Sequence, residues 1–184
     1  MIEDLSLYFL SSSYYVLYNC HNHQHYHSSN NDDDIRWRAV KRAQISATKE
    51  PENLSLQNGK RPDGSRLIPW SRGKPMTWDV NVPCTYAESH TGDTATEAGA
   101  AANQAAANKI AKYDELASTH IFYPVAIETG GTWNHWAVEL VQEIGRRATL
   151  ITGEPRESTF LFQQLSIALK MGNAVAFLNT VDSD

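Results

Sequence analysis

From Thr94 to Leu116 the chain carries a long alanine run and almost no β-branched residues, so the segment is strongly helical by composition. Strand-like segments lie on both sides of it. Before it, Met76 to Val82 alternates, with Met76, Trp78, Val80 and Val82 on one face and Thr77, Asp79 and Asn81 on the other. After it, Ile121 to Ile127 reads as a strand, in which Pro124 favours an edge or a bulge. Arg66 to Trp70 is also apolar enough for a strand, and Ser71-Arg72-Gly73-Lys74-Pro75 reads as a turn. Arg66–Trp70 and Met76–Val82 are therefore expected to form a hairpin.

The flanks extend this order. Asp32-Asp33-Asp34 stands before Ile35 to Ala43 and gives a helix-start signal through capping and the helix dipole. Gln44 to Thr48 is a short strand candidate, and residues 52–59 read as a loop. Trp136 to Thr149 is an amphipathic helix, with Val138, Val141 and Ile144 near helical spacing. Gly153-Glu154-Pro155 breaks it. Thr159 to Met171 is a further helix, for which Gly172 is the expected stop. Helix, strand, hairpin, long helix, strand and two helices make an α/β chain that fits one layered domain. The expected division is an irregular leader over residues 1–30 and a domain over residues 31–180.

The 184 residues are 41% hydrophobic and 20% charged, enough for one globular domain with a real core. Two cysteines, Cys20 and Cys84, make no disulfide framework and fit a reducing, intracellular setting. Leu5 to Leu17 is interrupted by Ser11-Ser12-Ser13 and is too short and polar to cross a bilayer, so no membrane partner is expected. His21, His23, His25 and His27 would share one face of an extended strand, but the separated-ligand spacing of a structural zinc site is missing.

The net charge of −5 argues against a nucleic-acid binder, but its distribution does not. Residues 35–74 hold ten basic and three acidic side chains, a local charge of +7, leaving −12 elsewhere. Arg36, Arg38, Lys41, Arg42, Lys60 and Arg61 are the candidate DNA-binding residues in this stretch. The alternative is a solvated charged surface without a partner.

Lys60-Arg61-Pro62-Asp63 is followed, after fifteen residues, by Asp79. Two carboxylates on adjacent strands can converge on a hard divalent cation such as Mg²⁺, with coordination positions left for water and a phosphate. Lys109, Lys112 and Tyr113 share one face of the long helix and would supply the cation and hydroxyl of such a site. Strand and helix rises bring them level with Asp79: roughly 23 Å of strand out against about 20 Å of helix back. The bland reading of the same residues is a Pro-Asp-Gly turn and a solvent-facing acid.

These residues resemble the C-terminal endonuclease region of non-LTR retrotransposon polyproteins of the restriction-enzyme-like, PD-(D/E)XK type. That pattern is Lys/Arg-Pro-Asp, a gap of a dozen or more residues, Asp/Glu, and a downstream Lys with a Lys-Tyr pair. Here it reads Arg61-Pro62-Asp63, Asp79-Val80-Asn81-Val82 and Lys109-Ile110-Ala111-Lys112-Tyr113. The likeness extends through Trp37-Arg38-Ala39, Lys49-Glu50-Pro51, residues 98–102, 124–128 and 162–166, and covers about 34–180. It implies an αβββαβ restriction-endonuclease-like core with two added C-terminal helices. It also implies Asp63 and Asp79 as Mg²⁺ ligands, Lys109 or Lys112 as the catalytic lysine with Tyr113 beside it, and Glu50 or Asp34 as an accessory acid. Glu128 would be structural, capping the end of its strand. Asn81 departs from the pattern, standing where a standard nuclease of this fold has lysine. Neither a reverse transcriptase active-site turn nor a complete CCHC knuckle occurs in this sequence, so the parent polyprotein's other domains are absent from it.

The resemblance implies a nuclear Mg²⁺-dependent DNA endonuclease that nicks target DNA to prime reverse transcription. The alternatives are an inactive remnant of the same fold with at most weak DNA binding, and a non-enzymatic α/β interaction domain with its acids on the surface.

Overall fold

The computed structural model describes residues 47–49, 51, 54 and 61–181. The expected leader over 1–30, the helix over 35–43 and the basic residues Arg36, Arg38, Lys41, Arg42 and Lys60 lie outside them, as do Asp34 and Glu50.

Four strands form one sheet in the order β1 (Ala47–Lys49), β2 (Gly64–Ser71), β3 (Lys74–Asn81) and β4 (Ile121–Ala126). β1–β2 and β2–β3 pair antiparallel, and β3–β4 pair parallel. The mixed α/β class expected from the sequence is what the chain shows. The β2–β3 hairpin closes through Arg72 and Gly73, both at positive φ (50° and 73°). That is the two-residue loop whose twist suits a hairpin. Pro124 sits in β4 at the sheet edge, where its missing N–H leaves no gap in an interior ladder.

A parallel pair needs a crossover. Here it runs through α1 (Glu88–Thr94), α2 (Ala100–Lys112) and a 3₁₀ turn at Asp114–Ser118. The single helix expected from Thr94 to Leu116 is thus corrected to α2 and the 3₁₀ turn, with α1 ending where it was expected to begin. Gly99, at φ 92°, breaks the chain ahead of α2. Tyr113, at φ −111°, ends α2 so that its ring turns inward. α3 (His135–Thr152) starts on Asn134, whose side chain accepts the Trp136 N–H, and stops at left-handed Gly153. α4 (Glu157–Val181) runs through Gly172 instead of stopping there. A glycine inside a helix costs about 1 kcal/mol, too little to halt one flanked by good helix formers.

The two sheet faces carry different fillings. Trp70, Met76, Val80 and Val82 pack with Tyr123, Val125 and Ile127 against Leu140, Val141 and Ile144 of α3 and Leu161 and Leu165 of α4. Gly145 lets the two helices close: a Cβ there would lie 2.5 Å from the Ser158 Cα. On the opposite face, α2 lays Ala102, Ala105 and Ala106 against Ala126. Among the described residues no helix is long and apolar enough to cross a membrane.

Candidate functional site

Asp79 sits on the α2 face of β3, and its burial is decided by the alternation noted in the sequence. It is 2% exposed, and Thr77 beside it on the same face is fully covered. Of the two readings of Asp79, the solvent-facing acid is therefore overturned. A strand residue under a packed helix is not on the surface, even where its neighbours are polar.

The β2–β3 register pairs Gly64 with Trp78 and so brings Asp63, the residue before β2, level with Asp79 across the strands. Gly64 also has a packing reason. A Cβ there would fall 2.2 Å from the Trp78 ring, so the Asp63-Gly64 step is held by the sheet as well as by turn chemistry. Oδ2 of Asp63 accepts the Val80 N–H at 2.6 Å, which fastens the start of β2 to β3.

Helix α2 supplies the rest. Its small-residue stripe continues through Lys109, Lys112 and Tyr113 at helical spacing. Alanine methyls let the helix approach the sheet closely, so the long side chains of the last turn reach down to Asp79. Both lysines also sit at the helix C-terminus, where the macrodipole favours positive charge. Lys109 Nζ forms an ion pair with Asp79 Oδ1. Lys112 Nζ lies 3.8 Å from Asp79 Oδ2 and donates to the Tyr113 hydroxyl at 2.6 Å. The two lysine side chains are 23% and 27% exposed, so they form the partly exposed side of a cluster built on a buried carboxylate.

Tyr113 joins the elements. Its hydroxyl lies 2.6 Å from Asp79 Oδ2 and 2.7 Å from the Arg61 carbonyl oxygen. A phenol has one proton, so it donates to one of these acceptors at a time. Its ring packs on Phe122 of β4 with centroids 5.0 Å apart. Burial pushes its pKa well above the usual phenol value, and the hydrogen bond to Asp79 and the charges of Asp79 and Asp63 push the same way. The hydroxyl is thus held neutral as a donor to Asp79.

The structure therefore gathers Asp79, Lys109, Lys112 and Tyr113, with Asp63 on the neighbouring strand. Arg61 is half-buried and contributes its carbonyl to this cluster. The sequence reading of Glu128 as a strand-end cap is corrected. Its Oε1 accepts the N–H groups of Ala101 and Ala102 at 2.9 and 3.3 Å, so it caps the start of α2 from the far end of β4. The only sequence signal for this was that Gly99-Ala100-Ala101-Ala102 lacks a side-chain cap of its own.

The donor set fits Mg²⁺ in kind. Mg²⁺ takes one or two carboxylates and keeps waters and substrate phosphate for its other positions. Asp63 and Asp79 are hard oxygen donors level with each other on adjacent strands. The two lysine ammonium groups balance the buried Asp79 carboxylate, Lys109 at Oδ1 and Lys112 at 3.8 Å from Oδ2. No family model and no curated protein matches the chain.

Proposed function

We propose that this chain is the Mg²⁺-dependent endonuclease domain of a retrotransposon polyprotein, with a restriction-endonuclease-like αβββαβ core. Its action would be to nick target DNA and expose a 3′ end that primes reverse transcription, which implies work in the nucleus. The observation that carries the reading is the convergence on Asp79 of Lys109, Lys112 and Tyr113 from one helix, with Asp63 level with it on the next strand. A meander followed by a helical crossover to a parallel fourth strand is the order that core requires. Fold alone does not give function, so the weight rests on the cluster.

In this reading Asp63 and Asp79 hold the cation. Bound there, Mg²⁺ would supply an activated water and offset phosphodiester charge. Lys109 and Lys112 hold the phosphate and stabilise the charge that develops on it. Tyr113 keeps Asp79 and the Arg61-Pro62-Asp63 segment in register through its two contacts. The basic residues Arg36, Arg38, Lys41, Arg42, Lys60 and Arg61 would track the DNA backbone.

One observation favours a second reading, an inactive remnant with weak DNA binding. Asp79 is 2% exposed, with Oδ1 ion-paired to Lys109 and Oδ2 beside the Tyr113 hydroxyl. Plasmid nicking by the purified chain with Mg²⁺, beside Asp79→Ala, separates the two. Nicking that needs Mg²⁺ and falls to background in Asp79→Ala supports the endonuclease. A folded wild-type protein that does not nick leaves the remnant.

A further inference from the structure

Lys109 and a divalent cation compete for the same oxygen. Oδ1 of Asp79 is taken by the Lys109 ammonium, while Oδ2 faces the Tyr113 hydroxyl at 2.6 Å and Lys112 stands off at 3.8 Å. The three groups thus differ in kind. Tyr113 is 1% exposed, its hydroxyl lies between Asp79 Oδ2 and the Arg61 carbonyl and its ring packs on Phe122, so it is fixed in place. Lys112 is held on the Tyr113 hydroxyl, with its ammonium 4.3 Å from the centre of that ring. Lys109 has Asp79 as its ion-pair partner, a side chain 23% exposed and a flexible four-carbon stem. It can swing into water without disturbing the others.

We infer that Lys109 is the resident counter-cation of this site, and that a divalent cation enters by displacing its ammonium from Asp79 Oδ1. The inference rests on the endonuclease reading and adds a means of regulation to it. Without metal, the buried carboxylate is neutralised internally and the cluster is held closed. With metal, the released ammonium sits at the outer edge of the site, where a phosphodiester arrives. The same lysine thus serves first as a plug and then as a phosphate contact, and the cation concentration needed for activity is raised by the fraction of molecules in which the plug is in place.

The test is Tb³⁺ binding to the full chain, read as luminescence sensitised by nearby aromatic side chains, with Mg²⁺ added as the competitor. Wild type, Lys109→Met, Lys112→Met and Asp79→Ala are compared, each checked by circular dichroism. Lys109→Gln replaces Lys109→Met if the latter fails to fold. Displacement predicts that Lys109→Met binds at least about tenfold tighter, about 1.4 kcal/mol, because the cation then no longer has to break the ion pair at Oδ1. Lys112→Met should change the affinity about threefold or less, because its ammonium does not occupy Oδ1. Equal gains in the two lysine variants would mean a general field effect and would overturn the displacement, as would no gain in either, while leaving the metal site standing. Absence of any binding that Asp79→Ala removes would overturn the metal site itself, and with it the endonuclease reading.

Discussion

The two faces of the sheet are built on opposite principles. The face toward α3 and α4 is filled by large side chains: Trp70, Met76, Val80, Tyr123, Leu161 and Leu165 interlock in one cluster. The face toward α2 is filled by alanines along most of its length and by ionised and hydroxyl groups at one end. Large residues hold helices off a sheet and gain stability from the area they bury. Small residues bring a helix close and gain little area, but close approach lets a lysine of the last turn touch a buried strand carboxylate. The first face specifies the fold. The second gives up packing area to place charge.

The largest effects should come from breaking the first face. Leu161 has no exposed surface, and Leu161→Ala removes side-chain volume between the helix pair and the sheet. The expected loss is about 2–5 kcal/mol, read by urea denaturation. Nicking per folded molecule should stay near wild type, because no Asp79 contact runs through Leu161. A loss under about 1 kcal/mol would show that this core is loosely packed and would erase the contrast between the faces.

Overfilling the second face is the converse test. Ala106 is 2% exposed, and Ala106→Leu forces α2 away from β4. Its cost is expected at about 1–3 kcal/mol. Unlike the Leu161 change, it should also loosen the grip of Lys109, Lys112 and Tyr113 on Asp79. Nicking should fall more than stability does. Stability lost with activity intact would mean that the close approach of α2 has no part in forming the site.

Titration of Tyr113 sharpens the comparison further. Its folded-state pKa is raised by burial and by the hydrogen bond to Asp79, so the neutral phenol is preferred in the native protein. A raised pKa gives stability that is fully present below the unfolded value of 10.0 and is lost as pH rises toward the folded one. Wild type should therefore lose stability relative to Tyr113→Phe only above about pH 10, by at most about 1.4 kcal/mol per pH unit. Denaturation of both proteins across the alkaline range checks this. Parallel curves above pH 10 would mean that the hydroxyl is not held as a donor to Asp79.

The two faces also differed in how far the sequence disclosed them. The period-two pattern from Met76 to Val82 put Met76, Trp78, Val80 and Val82 together in the large-residue cluster and Asp79 on the other side, because strand alternation is strict. The helical stripe linking Lys109 with Lys112 and Tyr113 was legible for the same reason. The polar strand face by itself did not disclose the burial of Asp79, since it looks the same whether water or a helix covers it; only the matching rises of strand and helix pointed to the cover. The division of the long helix was missed because an alanine run masks a break that depends on one left-handed glycine, Gly99. Glu128 was placed at its strand end but not at α2, twenty-six residues away in sequence from Ala102. Nothing local connects a carboxylate to a helix start that the fold brings beside it.

A change that belongs to neither face calibrates the scale on which the others are read. Arg72 lies in the β2–β3 turn, is exposed and holds φ at 50°, a left-handed conformation that arginine adopts at a cost. Gly73 follows it at φ 73°, and the favoured sequence for such a two-residue loop is Asn-Gly. Arg72→Asn should therefore stabilise the chain by about 0.5 kcal/mol, by easing the turn without touching either layer. Because the hairpin fixes the register that sets Asp63 level with Asp79, cation binding should be unchanged while the denaturation midpoint rises slightly. A fall in stability would show that the arginine side chain contributes more at this turn than its backbone strain costs.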